Sequence, residues 1–399
     1  MTNRKMQGGE NPAVIAIFLR GAADGLNIVV PHGDEQYYAL RPSISIAPPG
    51  GSGGPLPLPV PLPGLGGSGQ VAIDLDGFFG LHPSLAPLLP IYQAGELALI
   101  QATGAPQADR SHFSSQLRME VAGTTDSRAA GGWLGRYLNA TARREAQAVR
   151  GVSVGVALDQ SLAGAASAIA VADNASYRLR TRFAEAWSAA LPDLHRDMGF
   201  SYDGVQGKIF AALDLFARAE PAAVATDPAA IYPGDALGQR LRQAAQYLKA
   251  DMGLHAISLN SDGWDLHVSE NSALPNLLGS LAQGLDALRT DLGEHWNRTV
   301  VVLMSEFGRT VGENASGGTD HGRANMMMVL GGPVRGGQVY GDWPGLAPDQ
   351  LDPTGDLAIT TDYRTVLAEI LVRHMGLPAS DRGQVFPGFA ASHELGLLH

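Results

Sequence analysis

The sequence contains no cysteine, which excludes disulfide bonds and thiolate metal sites. Cysteine usage therefore gives no information about the redox compartment of the protein. It also lacks any apolar run near the ~20 residues that a membrane-spanning helix needs. The first eleven residues, MTNRKMQGGEN, carry Arg4 and Lys5 but no apolar stretch, so they do not form a complete signal peptide. We therefore expect no membrane span, and either a cytosolic protein or one whose leader has been removed.

Positive charge is scarce, because 28 Lys and Arg stand against 39 Asp and Glu and give a net charge of −11. This acidic balance disfavours nucleic acids and anionic membrane surfaces as partners. No P-loop, dinucleotide fingerprint or G-x-S-x-G nucleophile elbow follows a predicted strand. These absences argue against nucleotide-binding folds and α/β-hydrolases, and nothing in the sequence indicates an oligomeric state.

What the sequence does contain is a series of apolar runs typical of buried strands. They are Ala13–Leu19, Leu97–Gln101, Gly151–Ala157, His255–Asn260, Thr299–Met304 and Asn325–Leu330. An amphipathic helix over Leu274–Trp296 joins two of these runs as a βαβ unit, so their ends are expected to lie side by side. We predict one α/β domain over residues 1–399, with a Pro/Gly-rich loop at 48–69 and a mainly helical insertion at about 176–253.

Polar side chains stand at the ends of the last two strands. Glu306 and Arg309 follow one strand, and Asp320 and His321 lie in the glycine-rich loop before the next. The plain interpretation is a Glu306–Arg309 ion pair, with Asp320 in a turn and His321 in solvent. Ligands of open α/β sheets bind beyond the carboxyl ends of the strands, and adjacent Asp and His between glycines are typical of metal sites. We therefore favour a metal site.

Three further residues fit the same interpretation. Asp24 follows the first strand, although Asp-Gly is also a common turn pair. Asp265 and His267 follow a later strand and alternate by two, so on an extended segment they face the same way. Carboxylates and imidazoles together suit Zn, Mn, Mg or Ca.

Ser111 stands between Arg110 and His112, where a helix is expected to begin. A serine at that position can simply cap the helix. The same position suits a nucleophile whose substrate carries an anionic phosphate or sulfate. Both interpretations remain open, so Ser111 and His112 are catalytic candidates, and Arg20, Arg110 or Arg309 are candidates to clamp anionic oxygens.

Six motifs together carry a resemblance to a known family. They are LRGAADGLN, LHPSLAPLL, RSHF, GWDLH, SEFGRT and GTDHG, and with the final helix they span nearly the whole chain. In these motifs the chain resembles the DUF1501-like bacterial proteins of unknown function, which are grouped with the sulfatase-like, alkaline phosphatase superfamily.

The resemblance implies a doubly wound, mostly parallel α/β sheet sandwiched by helices, with a helical cap insertion. It implies one or two divalent metal ions held by some of Asp24, Asp265, His267, Glu306, Asp320 and His321, with Ser111 as the best candidate nucleophile. It also favours a periplasmic or exported protein.

The late motif departs from the superfamily pattern. Where the pattern has Ser-Asp-His-Gly, this chain has Ser305, Glu306, Phe307 and Gly308. Phe307 cannot bind a metal, and a longer carboxylate shifts the site toward oxygen ligands. We therefore expect one well-held Mg, Mn or Ca ion, with any second ion weak or absent. The alternative alignment, with Asp320-His321 as the Asp-His pair itself, remains open.

The function that follows is a metal-dependent hydrolase of phosphate or sulfate esters, with an anionic small molecule or polymer as substrate. The main rival is a catalytically silent carbohydrate- or polymer-binding protein that keeps the fold. A metal-dependent mutase or transferase would need an acceptor site that the sequence does not display.

Overall fold

The fold is described from a computed structural model. The structure describes residues 11–50, 70–107, 109–123, 131–142, 149–173, 182, 186–187, 190, 224–390 and 393–399. The predicted loop at 48–69 lies outside these residues from 51 onward. Most of the predicted insertion at about 176–253 lies outside them as well, and the single-domain organisation stays a prediction.

Twelve strands are present in the described residues. They are β1 (Ala13–Leu19), β2 (Val29–Val30), β3 (Ile73–Asp74), β4 (Gly80–Leu81), β5 (Leu97–Gly104), β6 (Gly151–Ser153), β7 (Ala168–Ala170), β8 (Ala256–Ser261), β9 (Thr299–Met304), β10 (Asn325–Gly331), β11 (Gln338–Tyr340) and β12 (Thr361–Asp362). The main sheet has the order β11-β5-β10-β9-β1-β8-β6-β7, with β12 also paired to β5. Strands β2, β4 and β3 form a small antiparallel sheet.

The α-helices of the described residues are interleaved with these strands. They are α1 (Gly25–Ile28), α2 (Glu35–Leu40), α3 (Leu89–Gln93), α4 (His112–Val121), α5 (Trp133–Thr141), α6 (Ala236–Lys249), α7 (Glu270–Leu292), α8 (Tyr363–Glu369) and α9 (Arg382–Val385). Six-residue 3-10 helices, Pro83–Leu88 and Gly293–Arg298, precede α3 and follow α7, and a π-helical segment, Ile370–His374, extends α8. None of the described helices is long and apolar enough to cross a membrane.

Strand β1 shows how the sheet is buried on both faces. Its seven residues are all buried, and alternate side chains point to opposite faces. Ile15 and Ile17 join one core with α6 and α7, whereas Val14 and Ala16 join the other with α5 and α8. The predicted α/β fold, with a mostly parallel sheet covered by helices on both faces, is confirmed.

The predicted βαβ unit needs a correction. Helix α7 does connect two parallel strands, β8 and β9, but β1 lies between them and pairs with both. The ends of β8 and β9 are therefore one strand apart instead of adjacent. A crossover can skip a strand position that an earlier part of the chain fills, and local sequence does not show this.

Strand β10 runs antiparallel to both of its neighbours, β9 and β5. Its first residue therefore lies at the edge of the sheet where the parallel strands end. For that reason the loop before β10 and the loops after β1, β8 and β9 meet at one edge.

Candidate metal centre

Four side chains from three separate segments meet at this edge. Asp265 and His267 come from the loop after β8, and His321 comes from the loop before β10. His112 is the first residue of α4. We call these four residues the His–Asp group.

The ligand atoms of the His–Asp group lie close together. The Nε2 atoms of His267 and His321 are 3.0 Å apart, and Asp265 Oδ1 lies 3.0 Å from the first and 3.3 Å from the second. Nε2 of His112 lies 3.4 Å from the other oxygen of Asp265. One ligand atom each from His112, Asp265 and His321 falls within a mutual distance of 4.8 Å, which is suitable for a shared metal ion.

Two carboxylates fix the outer nitrogen of two of these rings. His112 Nδ1 lies 2.8 Å from Glu306 Oε1, and His267 Nδ1 lies 2.9 Å from Asp320 Oδ1. Burial by itself raises the pKa of Glu306, but hydrogen bonds from Gln116, the main chain and His112 hold it below its usual value. The hydrogen bond from His267 lowers the pKa of Asp320. Both carboxylates are therefore ionised acceptors, and each Nδ1 carries the proton.

The third ring is fixed in the same way, because His321 Nδ1 lies 2.8 Å from the main-chain oxygen of Arg110. A carbonyl oxygen can only accept, so this Nδ1 is also protonated. In the neutral form of each ring the Nε2 lone pair then faces the centre of the group. Two such lone pairs at 3.0 Å, with the Asp265 carboxylate beside them, repel one another unless a proton or a cation lies between them. Arg309 Nη1, 3.4 Å from His267 Nε2, offsets part of this repulsion. This arrangement fits a bound cation.

Nε2 of His112 gives a second sign of fit. The atom is fully buried and has no hydrogen-bond partner. The Phe307 ring packs 5.2 Å from the His112 ring and 5.0 Å from the His321 ring, measured between centroids. Phe307 therefore does not bind an ion but forms an apolar wall that restrains two of the imidazoles.

Asp265 is held by Arg309. Burial by itself raises the pKa of Asp265, but a 2.6 Å hydrogen bond and the charge of Arg309 lower it below its usual range. The Arg309 side chain is fully buried. It also donates to the main-chain oxygens of Ala22, Thr319, Gly21 and Trp264. Since the guanidinium is committed to these acceptors, the expected role of Arg309 as a clamp for substrate oxygens has no support from its position.

Asp24 is engaged outside the His–Asp group. Its carboxylate pairs with Arg41 and caps α1 by accepting from Leu26 N–H at 3.1 Å. Burial by itself raises the pKa of Asp24, but the charge of Arg41, with hydrogen bonds from Glu270 and Arg41, lowers it. Burial and the Asp24 charge raise the pKa of Glu270 well above its usual value. Within the described residues, no hydrogen bond or ion pair joins Asp24 to the group, so the expected convergence is seen for Asp265, His267 and His321 only.

Ser111 stands at the N-cap position of α4, so the helix begins where the sequence predicted, but the predicted capping by its hydroxyl is not found. Its side chain is exposed and makes no capping hydrogen bond, whereas its main-chain N–H donates to Asp109 Oδ1 at 2.8 Å. The next residue is His112. Within the described residues, the Ser111 hydroxyl is therefore not engaged in capping the helix.

One residue that holds the group was not anticipated. Gln116 Nε2 donates to Glu306 Oε1 at 2.8 Å, as does Gly21 N–H at 2.9 Å. Gln116 lies four residues after His112, and residues i and i+4 share a helix face. That spacing was the signal available in the sequence.

A family model described as "Protein of unknown function (DUF1501)" matches residues 11–386. The chain belongs to this family. The matched span contains every member of the His–Asp group. No curated protein matches the chain.

Several solved structures are similar to this chain at low identity. Ps i-CgsB, in complex with k-i-k-neocarrahexaose, is 9% identical with a TM-score of 0.34, and the match covers 80% of this chain but only 66% of that protein. Phosphonate monoester hydrolase of Agrobacterium radiobacter is 10% identical with a TM-score of 0.34, and the match covers 96% of this chain and 78% of that protein. A variant of TAB5 alkaline phosphatase with Mg bound is 11% identical with a TM-score of 0.33, and the match covers 80% of this chain and 91% of that protein. At such values, the activity of this chain has to be argued from its own residues.

Proposed function

We propose that this protein is a metal-dependent hydrolase of phosphate or sulfate esters. The observation that carries the proposal is the convergence of three imidazole Nε2 atoms on the Asp265 carboxylate, with each Nδ1 already held by an oxygen acceptor. Such outer contacts are typical of histidines that bind metals, because they fix the tautomer and the ring orientation.

The proposed ligands are His112, Asp265 and His321, whose ligand atoms fall within 4.8 Å of one another, with His267 beside His321 as a fourth. Three imidazoles and one carboxylate favour zinc, or another transition metal such as manganese, over magnesium and calcium. This departs from the preference drawn from the sequence, which counted Glu306 and Asp320 as ligands. Here both carboxylates instead orient the histidines.

The cation, when bound, supplies a Lewis acid for the oxygens of the phosphoryl or sulfuryl group. Ser111 supplies a hydroxyl at the N-terminus of α4, where the helix dipole favours a developing negative charge. Glu306 holds the His112 ring in one orientation, and Arg309 keeps Asp265 ionised. If Ser111 is not the nucleophile, a water activated at the centre takes that role.

The test is turnover of chromogenic phosphate monoesters, phosphodiesters and sulfate esters by protein loaded with zinc or manganese. Wild-type protein is expected to turn over at least one of these classes and to lose activity with a chelator. Asp265→Asn is expected to lose the metal and at least ~100-fold in kcat/KM.

Asp262→Asn is the matched control. Asp262 lies in the same loop, and its nearest ion pair is a 3.9 Å contact with Arg240. This variant should keep wild-type activity. Metal-loaded protein that holds its ion but turns over none of the three classes would contradict the hydrolase and favour a silent binding protein.

A further inference from the structure

Exposed apolar side chains are concentrated around the candidate metal centre. Of the seven large apolar residues that are exposed in the described part of the chain, five belong to segments at the sheet edge that carries the His–Asp group. These five are Phe113, Leu117, Val156, Leu158 and Val268. Single exposed apolar residues need no explanation, but a concentration at one site is typical of a ligand-binding surface.

Two of them directly follow members of the group. Phe113 is 91% exposed and comes after His112, and Val268 is 61% exposed and comes after His267. Because each is joined to a proposed ligand by one peptide bond, its Cα atom lies about 3.8 Å from that of the ligand residue.

Val156 and Leu158 lie in the loop after β6, the neighbour of β8. This loop is tied to the same edge, because Asn260 at the end of β8 donates to Asp159 at 2.7 Å. Ser161 N–H then reaches Glu120 on α4 at 3.3 Å. The loop and α4 are therefore joined at this edge, where the segment around Val268, after β8, also lies.

Positive charge at this edge is already committed. Four arginines pair with carboxylates there, namely Arg20 with Glu120, Arg41 with Asp24, Arg110 with Asp356, and Arg309 with Asp265. Among the described residues, these four arginines are therefore less available to a substrate than the exposed apolar side chains.

We propose that the ester taken by this centre carries an apolar group, aryl or alkyl, which lies against Phe113 and Val268. This rests on the proposed function, since the metal must hold the phosphate or sulfate end. A polyanionic polymer finds fewer partners here, because the arginines that would bind its repeated charges are paired.

The probe is a series of n-alkylphosphonates from methyl to octyl, which are not hydrolysed. Their Kd values for the metal-loaded full chain are measured by calorimetry. Full burial of one methylene corresponds to about a fourfold change in affinity, and partial burial on an open surface to about twofold. We therefore expect Kd to fall by roughly 100-fold along the series.

Phe113→Ser and Val268→Ser should make Kd depend less on the length of the alkyl chain. The loss of affinity relative to wild type should therefore grow with chain length. Ile231→Ser is the matched control, because Ile231 is 68% exposed but its main chain contacts Gln283 in the middle of α7. This variant should keep the wild-type slope.

Two failures are distinguishable. A Kd that does not change with chain length, while methylphosphonate still binds, overturns the apolar contact and leaves the hydrolase standing. Binding of no phosphonate, together with no turnover of any of the three ester classes, overturns both proposals. A flat series together with a dimer that Phe113→Ser dissociates would assign these side chains to a second copy of the chain and overturn the substrate contact.

Discussion

At the scale of single residues, the anchoring of His112 by Glu306 is the contact whose loss is easiest to measure. Glu306→Gln keeps the shape but removes the charge that orients the ring and makes it a stronger ligand. We expect metal affinity to fall about 10- to 100-fold, measured by titration against a competing chelator.

Glu369→Gln is the control for this variant. Glu369 is buried to the same extent, but it accepts from the main chain at Leu395 and Leu397, away from the histidines. It should lose stability and keep its metal affinity. Equal metal affinity in Glu306→Gln and wild type would contradict the anchoring role.

Ser111→Ala separates a nucleophile from a simple helix cap. Because the hydroxyl makes no capping bond, its removal should cost less than the ~1 kcal/mol typical of an N-cap. As the nucleophile, Ser111 should contribute at least ~10³-fold to kcat, measured with the best ester substrate at full metal loading. Ser114→Ala, one turn into the helix, should keep wild-type turnover. A wild-type kcat in Ser111→Ala would leave activated water as the nucleophile.

The sequence predicted much of the site at this scale. The spacing of two between Asp265 and His267 indicated that both face the same side after a strand. The position of His321 before a buried strand indicated that it lies at an edge of the sheet. The pairing of Asp24 with Arg41 could not be predicted, because it depends on α2 folding back over the first turn. The hydrogen bonds from Arg309 to main-chain oxygens could not be predicted either, because they join parts of the chain that are distant in sequence.

At the scale of elements, the loop after β9 packs against the loop before β10 at a glycine. Gly308 N–H donates to Arg323 O at 2.9 Å, and a Cβ at Gly308 would lie 1.8 Å from Ala324 O. We expect Gly308→Ala to destabilise the protein by at least about 1–3 kcal/mol. It should also weaken metal binding, since the same loops carry Arg309 and His321. Denaturant titration and metal titration measure the two effects.

Gly279→Ala is the matched substitution. Gly279 lies within α7 with open space around its missing Cβ, so alanine should raise stability by about 0.5–1 kcal/mol. A Gly308→Ala protein with wild-type stability and metal affinity would show that the two loops do not need their close contact.

The sequence predicted the long strands of the main sheet but not their arrangement. Apolar runs marked β1, β5, β8, β9 and β10, because buried strands have a clear composition. The place of β1 between β8 and β9, and the antiparallel direction of β10, depend on contacts between distant parts of the chain. Local pattern carries no information about them.

At the scale of the whole molecule, the proposed ligands come from segments that only the folded sheet brings together. An ion that binds the native state alone stabilises it by about 2.7 kcal/mol at 100 times its Kd. We expect Tm to rise with added zinc or manganese and to fall again with a chelator.

His321→Ala should abolish this dependence of Tm on the ion. His32→Ala, which removes a His–Asp pair with Asp74 elsewhere in the fold, should keep it. A dependence that persists in His321→Ala would place the ion outside the His–Asp group.

The most direct measurement is anomalous diffraction at the metal absorption edge, from crystals of protein loaded with zinc or manganese. We expect one strong peak, about 2.0–2.2 Å from Nε2 of His112, His267 and His321 and from an oxygen of Asp265. A peak at another place, or no peak while the same side chains bond directly to one another, would contradict a metal centre at this edge of the sheet.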